Sequence, residues 1–219
     1  MNRLLFEKVG NGIWISHLDL MRLFQRAFKR GGMNLKHTQG FNPRAMVSIA
    51  LPLSVGVESR CEILDFELVD QPLPFDEIRD RLNKTLPAGI RVLEVYDSAA
   101  KIKELTHLDC TICMEYDRGV PDDALEGIRQ LFAGEPLLVE KKSKNGPVEQ
   151  DIAPIIEALQ AEVLNENEIL LTARICAQNP SLNPALIPTA IAKYCPHAAA
   201  DFVRICRMET RTAQGEVFR

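Results

Sequence analysis

The stretch LDCTICMEY, residues 108–116, decides the fold, because with it a strand-like pattern starts for the second time in the chain. Leu108, Cys110, Ile112 and Met114 alternate with Asp109, Thr111, Cys113 and Glu115, the period-2 pattern of a strand with one buried face. Upstream, apolar runs at 3–8, 46–53, 61–69 and 91–96 read as strands, and the periodicity at 17–30 and 75–86 reads as helix. The order is β-α-β-β-α-β. Downstream it recurs, with a helix over about 122–133, PLLVEKK from 136, NEILLTARICA from 167, a helix over about 184–194 and FVRICRMET from 202. The expected fold class is α+β, a tandem pair of duplicated ferredoxin-like (βαββαβ) units with antiparallel sheets.

The charged, small-residue segment DSAAKIKELTH (97–107) separates the two passes. It divides the chain into a unit over 1–100 and a unit over 101–219, the second with an inserted segment near 145–166. That insertion is longer than a hairpin needs. The spacing of Ile152, Ile155, Ile156 and Leu159 predicts a short helix in it, begun after Asp151 and with Pro154 in its first turn.

With 219 residues, 46% hydrophobic and 26% charged, the chain has the balance of a folded protein of two small domains. The start MNRLLFEKVG lacks a basic leader followed by an apolar core, and no apolar run reaches membrane-spanning length, so the expected localisation is cytoplasmic with no membrane partner. Six cysteines in a chain of this size read as reduced thiols. The net charge of -4 conceals an asymmetry: residues 1–60 carry nine Lys or Arg against Glu7, Asp19 and Glu58, a balance of +6, so the remainder carries -10. A local positive field of this kind suits a polyanion such as nucleic acid, and equally a merely solvated basic face.

Ser16-His17-Leu18-Asp19 has the S-x-x-D pattern of a helix start, with Ser16 as N-cap and Asp19 at the third helical position. His17 has no capping duty, and an imidazole there is placed to exchange protons with a loop or ligand. Along the helix, Leu20, Met21, Leu23, Phe24, Ala27 and Phe28 form the expected buried stripe, while Arg22, Arg26, Lys29 and Arg30 form a basic ridge. The ridge reads as a solvated face with Asp19 paired to Arg22, or as a set of phosphate contacts.

Gly31 and Gly32 end the helix, and HTQGFNPRAMVS (37–48) leads back to the sheet. Gly40, Asn42 and Pro43 have a turn-making explanation; Gln39, Phe41 and Arg44 have none. A Phe beside an amide and a guanidinium suits stacking on a base and reading its edge, or the Phe plugs the core beneath the loop. In ALPLSVGVES (50–59), Pro52 and Gly56 predict a bend before the third strand. Chain order sets helix, loop and bend in one neighbourhood, an N-terminal basic cleft.

The combination S-H-L-D (16–19), Q-G-F-N-P (39–43) and P-L-x-x-G-x-E-S (52–59) resembles the radical SAM-linked (radical SAM-associated) proteins, a domain family of unknown function. VEQDIAPIIEAL and RICRMET echo its second half, so the resemblance covers most of the chain. The chain departs from the family pattern at Arg44, Ala45 and Ala153. By motif match the resemblance implies Ser16, His17, Asp19, Gln39, Gly40, Phe41, Asn42, Pro43, Gly56 and Glu58 as site residues. It implies a partner, a radical SAM enzyme with a cobalamin-binding domain; that partner would carry the iron-sulfur cluster, SAM and cobalamin.

This chain has no closely spaced cysteine triplet for such a cluster. Cys110 and Cys113 are a lone C-x-x-C whose odd offset sets them on opposite strand faces, so no metal site is expected. Neither G-x-S-x-G, G-x-x-x-x-G-K-[ST] nor H-E-x-x-H occurs. His37, His107 and His197 read as surface or loop residues, and Lys141, Lys142 and Lys144 as a basic rim or a solvated strand end. The expected function is that of a non-catalytic accessory protein recognising or presenting an RNA-related substrate (tRNA or rRNA). Arg22, Arg26, Lys29 and Arg30 would attract phosphate, Phe41 would stack with Arg44 beside it in the binding loop, and Gln39, Asn42 and His17 would supply directional hydrogen bonds. Two alternatives stand beside it: an RNA-processing or transferase enzyme using His17 oriented by Asp19, and a scaffold that only docks a protein.

Overall fold

A computed structural model describes residues 2–69, 72–134, 136–143 and 146–219. The fold is mixed α+β, and the chain divides into two compact units, Met1–Ile102 with Arg219, and Lys103–Phe218.

The first unit contains β1 (Asn2–Lys8), α1 (His17–Arg30), β2 (Val47–Ile49), β3 (Glu58–Phe66), α2 (Phe75–Asn83) and β4 (Ile90–Asp97). Its strands lie in the order β4-β1-β3-β2, each pair antiparallel. Helix α1 starts as the sequence predicts. Ser16 is extended at φ -68, ψ 160, and its Oγ accepts a hydrogen bond from the Asp19 amide. It ends in a Schellman arrangement, with the Met33 amide on the Phe28 carbonyl. Only Gly32 takes positive φ, at +70, while Gly31 stays at -75. Leu20, Phe24, Ala27 and Phe28 bury one face of α1 against Leu4, Phe6, Leu64 and Phe66 of the sheet.

Two glycines set the entry to α1. The Val9 amide bonds the Gly89 carbonyl at 2.8 Å, and a Cβ on Gly12 would stand 2.7 Å from that same oxygen. Only bare backbone fits there, so the 3-10 turn Gly10–Trp14 is pinned to the start of β4.

The second unit contains β5 (His107–Glu115), α3 (Ala124–Phe132), β6 (Leu138–Ser143), β7 (Gly146–Asp151), β8 (Ile156–Asn165), β9 (Glu168–Cys176), α4 (Leu186–Tyr194) and β10 (Phe202–Arg211). Its main sheet runs β10-β5-β9-β8, again antiparallel, and β6 pairs with β7 in a separate two-stranded sheet. Leu108, Cys110, Ile112 and Met114 are buried, as the alternation of the opening stretch requires.

The inserted helix does not form. Asp151 does cap a turn, its Oδ1 accepting from the Ala153 and Leu137 amides, but the turn is one 3-10 turn, Ala153–Ile155. Ile156–Asn165 then continues as an edge strand. The run that begins at 136 is correspondingly not the second strand of the main sheet; it forms the β6-β7 hairpin, and β8 takes that place. Lys141 and Lys142 lie in this hairpin, and Lys144 falls outside the described residues.

On the face of β5 away from the helices, Asp109 accepts from Arg174 Nε at 2.7 Å and from Arg211 Nε at 2.6 Å. Burial works to raise this carboxyl, but the two guanidinium hydrogen bonds outweigh it and hold it below the usual aspartate range. A carboxyl depressed in the folded state stabilises above its unfolded pKa, near 4, and that stability is lost as pH falls through the lower folded value. Acid titration of stability below about pH 4 is therefore expected to be steeper in the wild type than in Asp109→Asn, by circular dichroism. Equal slopes would show that the pairs contribute nothing.

Candidate functional site

The predicted site residues fall into two groups at opposite ends of the first sheet. At the end where β1 finishes, Ser16 Oγ donates to Asp19 Oδ2 at 2.7 Å and Arg22 Nη1 donates to Asp19 Oδ1 at 3.0 Å. The Ser16 hydroxyl, then Arg22, lower the Asp19 carboxyl below its ordinary value. Both Asp19 oxygens go to these partners, not to His17, so the expected orientation of His17 by Asp19 is not what the fold builds. Here too Glu58 Oε1 accepts from the Gly10 amide, and Gly56, at φ +85, donates its amide to the Ile13 carbonyl beneath the Trp14 ring. Ser16, Asp19, Gly56 and Glu58 thus have architectural duties. His17 does not: its Nδ1 is buried without a hydrogen-bond partner among the described residues.

At the other end, Phe28 packs on Phe66 with ring centroids 4.8 Å apart, and the segment after α1 is tied to the sheet there. The Lys36 amide bonds the Glu67 carbonyl, the Glu67 amide bonds the Met46 carbonyl, and Lys36 Nζ meets Glu67 Oε2 at 2.9 Å. From this base the loop rises as a closed hairpin. The Met46 amide bonds Lys36 O at 2.7 Å, the Thr38 amide bonds Arg44 O at 2.8 Å, and the Arg44 amide bonds Thr38 Oγ1 at 3.0 Å. Its tip presents Gln39, Gly40, Phe41, Asn42, Pro43 and Arg44, all exposed, with Gly40 at φ +133. Phe41 is 101% exposed, so it plugs no core. A cavity of about 240 Å³, lined by Thr38, Ala45, Val47, Asp65 and Phe66 among others, opens at the hairpin base.

The single cleft expected from chain order is therefore replaced by two ends joined by a helix, because fourteen residues of α1 span about 21 Å. Along its outer face Arg22, Arg26, Lys29 and Arg30 are exposed. Arg22 is held by Asp19, and Arg30 Nη2 donates to the Thr85 carbonyl at 2.8 Å. Arg26 and Lys29 have no ion-pair partner among the described residues.

Sequence reading missed four buried charges, Arg3, Lys8, Glu62 and Asp65, of which Lys8 and Glu62 share the parity of the core residues Phe6 and Leu64. Lys8 is 0% exposed, with Nζ on the Ile13 carbonyl at 3.0 Å, and Glu62 is 3% exposed. Parity was the available signal: Lys8 follows Leu4 and Phe6, and Glu62 precedes Leu64 and Phe66, at the spacing of the core face. The exposed Trp14 and Leu18, each 67% accessible, were also passed over.

In the second unit Cys113, Glu115 and Glu168 converge closely enough to ligate an ion, but Arg204 already bonds Glu115, Glu168 Oε1 and Cys113 Sγ. A guanidinium holds the position a cation would need. Cys195 Sγ lies 3.4 Å from His197 Nε2, and that same nitrogen faces Asp123 at 3.6 Å. A relay needs opposite ring nitrogens, and burial pushes the Cys195 thiol up, away from thiolate. His107 lies in β5 rather than a loop, and His37 is exposed within the hairpin, opposite Ala45.

Residues 2–184 match a sequence family described as "Uncharacterized protein conserved in bacteria (DUF2344)". No curated protein matches. Among solved structures, a Cbf5-Nop10-Gar1 complex contains a chain with a TM-score of 0.51 at 9% identity over 95% of this chain and 48% of that one. An H/ACA RNP bound to a substrate RNA containing 2'-deoxyuridine gives 0.49 at 10% identity, over 98% of this chain and 48% of that one. The archaeal box H/ACA sRNP Nop10-Cbf5 complex also gives 0.49 at 10% identity, over 98% and 49%. The chain spans about half the length of these three solved chains, and at 9% identity the likeness to the first is one of fold alone. Among the described residues no helix is long and apolar enough to cross a membrane.

Proposed function

Because the chain belongs to this family of uncharacterised proteins conserved in bacteria, its function has to be read from its own surface, and we propose that it is a non-catalytic recognition module for RNA, tRNA or rRNA in class. The observation that carries this reading is Phe41: a phenyl ring wholly in solvent, at the tip of a hairpin closed by its own hydrogen bonds. An exposed aromatic costs solubility unless something flat covers it, and an unpaired base is flat, with edges that Gln39 and Asn42 can read. Arg44 beside it and the cations Arg26 and Lys29 along α1 give phosphates a track toward the hairpin. The strand orders β4-β1-β3-β2 and β10-β5-β9-β8 support reading both units as ferredoxin-like modules in tandem. On the sequence resemblance, the module works in the cytoplasm with a radical SAM enzyme carrying a cobalamin-binding domain. It brings no cofactor of its own; iron-sulfur cluster, SAM and cobalamin reside in the partner.

The test is fluorescence anisotropy with a labelled single-stranded RNA oligonucleotide. Phe41→Ala is expected to cost about 1–3 kcal/mol, roughly 5- to 150-fold in Kd, with Phe41→Tyr retaining affinity. Since Phe41 buries nothing, the fold is untouched. A wild type that binds no RNA even at low salt, or an alanine variant that binds equally well, would refute the reading.

A second reading, general acid-base chemistry by His17, has the buried and unpartnered Nδ1 in its favour. His17→Ala separates the two: turnover lost with RNA binding retained favours the enzyme, whereas parallel loss of RNA binding favours the recognition module.

A further inference from the structure

The edge of the second sheet carries an inference independent of RNA. Among the described residues β8 pairs with β9 on one side only. Soluble proteins usually guard such an edge with Lys, Pro or bulges. Ile156–Asn165 reads IEALQAEVLN and contains none of Lys, Arg or Pro. Its register shifts fall between Ile156 and Ala158 and between Val163 and Asn165, so residues 158–163 between them are regular and open. A groove of about 610 Å³ runs beside them, walled by Leu131 and Phe132 of α3 and by Leu137. Its lining on β8 ends at Glu162, and the next two residues, Val163 and Leu164, are 48% and 49% exposed.

We propose that β8 is a self-association edge, along which two copies of this chain pair antiparallel with Ala161 on the twofold axis. The side chains select that occupant and that register. With Ala161 facing its own copy, Leu159 meets Val163, Ala158 meets Leu164, Glu157 meets Asn165, and Gln160 meets Glu162, each twice by symmetry. Leu159, Ala161 and Val163 stand opposite Ala173, Leu171 and Ile169, all buried, so they lie on the core face. Val163 of one copy then continues the apolar layer of the other into the groove. On the opposite face the Gln160 amide donates to the Glu162 carboxylate. The neighbouring registers fail: an axis at Gln160 sets Glu162 against Ala158 and Glu157 against Val163, and an axis at Glu162 sets like charges face to face. Arg129 already donates to the Ala161 carbonyl at 3.0 Å, and that oxygen keeps a second lone pair for the strand.

Sedimentation velocity on the full chain, up to about 100 µM, tests this, since a self-associating chain must respond to its own concentration. The wild type is expected to shift from monomer to dimer. Gln160→Glu sets carboxylates opposite each other twice and should raise Kd roughly two- to thirtyfold; Gln160→Lys should lower it by a similar factor. Gln160 is exposed, so neither change disturbs the core. A chain that stays monomeric throughout overturns the proposal, even if another protein's segment binds the edge. So does a dimer whose Kd both variants leave unchanged or move in the same direction.

Discussion

Arg3→Met is expected to remove about 3–5 kcal/mol of folding stability, read from the midpoint of urea denaturation at constant slope. Arg3 is 2% exposed and stands directly opposite Asp65 in the β1-β3 register. Its Nε and Nη2 donate to the two Asp65 oxygens at 2.6 and 3.0 Å, and the remaining donors reach Ser98 Oγ at 3.0 Å and the Ala100 carbonyl at 2.9 Å. One side chain thus ties β1 to β3 and to the segment after β4. Methionine keeps most of the volume but leaves Asp65, 8% exposed, as an uncompensated buried carboxylate. The loss comes from that orphaned charge more than from the attraction itself. Arg3→Met with Asp65→Leu should therefore recover most of the stability. A single variant within about 1 kcal/mol of wild type would sink the account, since such a loss is ordinary for a surface change.

Phe24→Ala is expected to cost a comparable 3–5 kcal/mol, seen as a lowered Tm and denaturation midpoint. Phe24 is 0% exposed and meets Phe6 edge-on, ring centroids 4.8 Å apart and planes at 65°. Truncation leaves a void under α1 that Leu20, Ala27 and Phe28 cannot close, because each is already fixed in the same layer. Alanine is the best helix former, so any loss is attributable to packing rather than propensity. Gln25→Ala, one residue along on the exposed face, should change stability by less than about 0.5 kcal/mol. Similar effects at 24 and 25 would mean that the face of α1 had been misassigned.

Helix α1 was legible from end to end because three independent signals coincided there: a Ser16 cap, an apolar stripe and paired glycines. The opening stretch of β5 was legible because one of its faces is buried and the other half-open. Ile156–Asn165 was misread for the converse reason. As an edge strand it buries little, and Ile152, Ile155, Ile156 and Leu159 imitate a helical stripe that one 3-10 turn and a strand divide between them. The candidate site was legible in kind but not in arrangement. Residue chemistry singled out the hairpin and the helix start, whereas their separation follows from the fourteen-residue length of α1, which mere adjacency in chain order ignores. Lys8 and Glu62 obeyed the strand parity of their apolar neighbours, and they were overlooked because charge was taken as a mark of the surface.

The hairpin that carries Phe41 also has a consequence in time. Its rungs, Thr38 to Arg44 and Met46 to Lys36, are made within the chain itself, so on the proposed function capture of a ligand would require no prior ordering of the loop. Encounter would then run at the pace set by diffusion and charge, and the choice among ligands would be made afterwards, by how long each one stays.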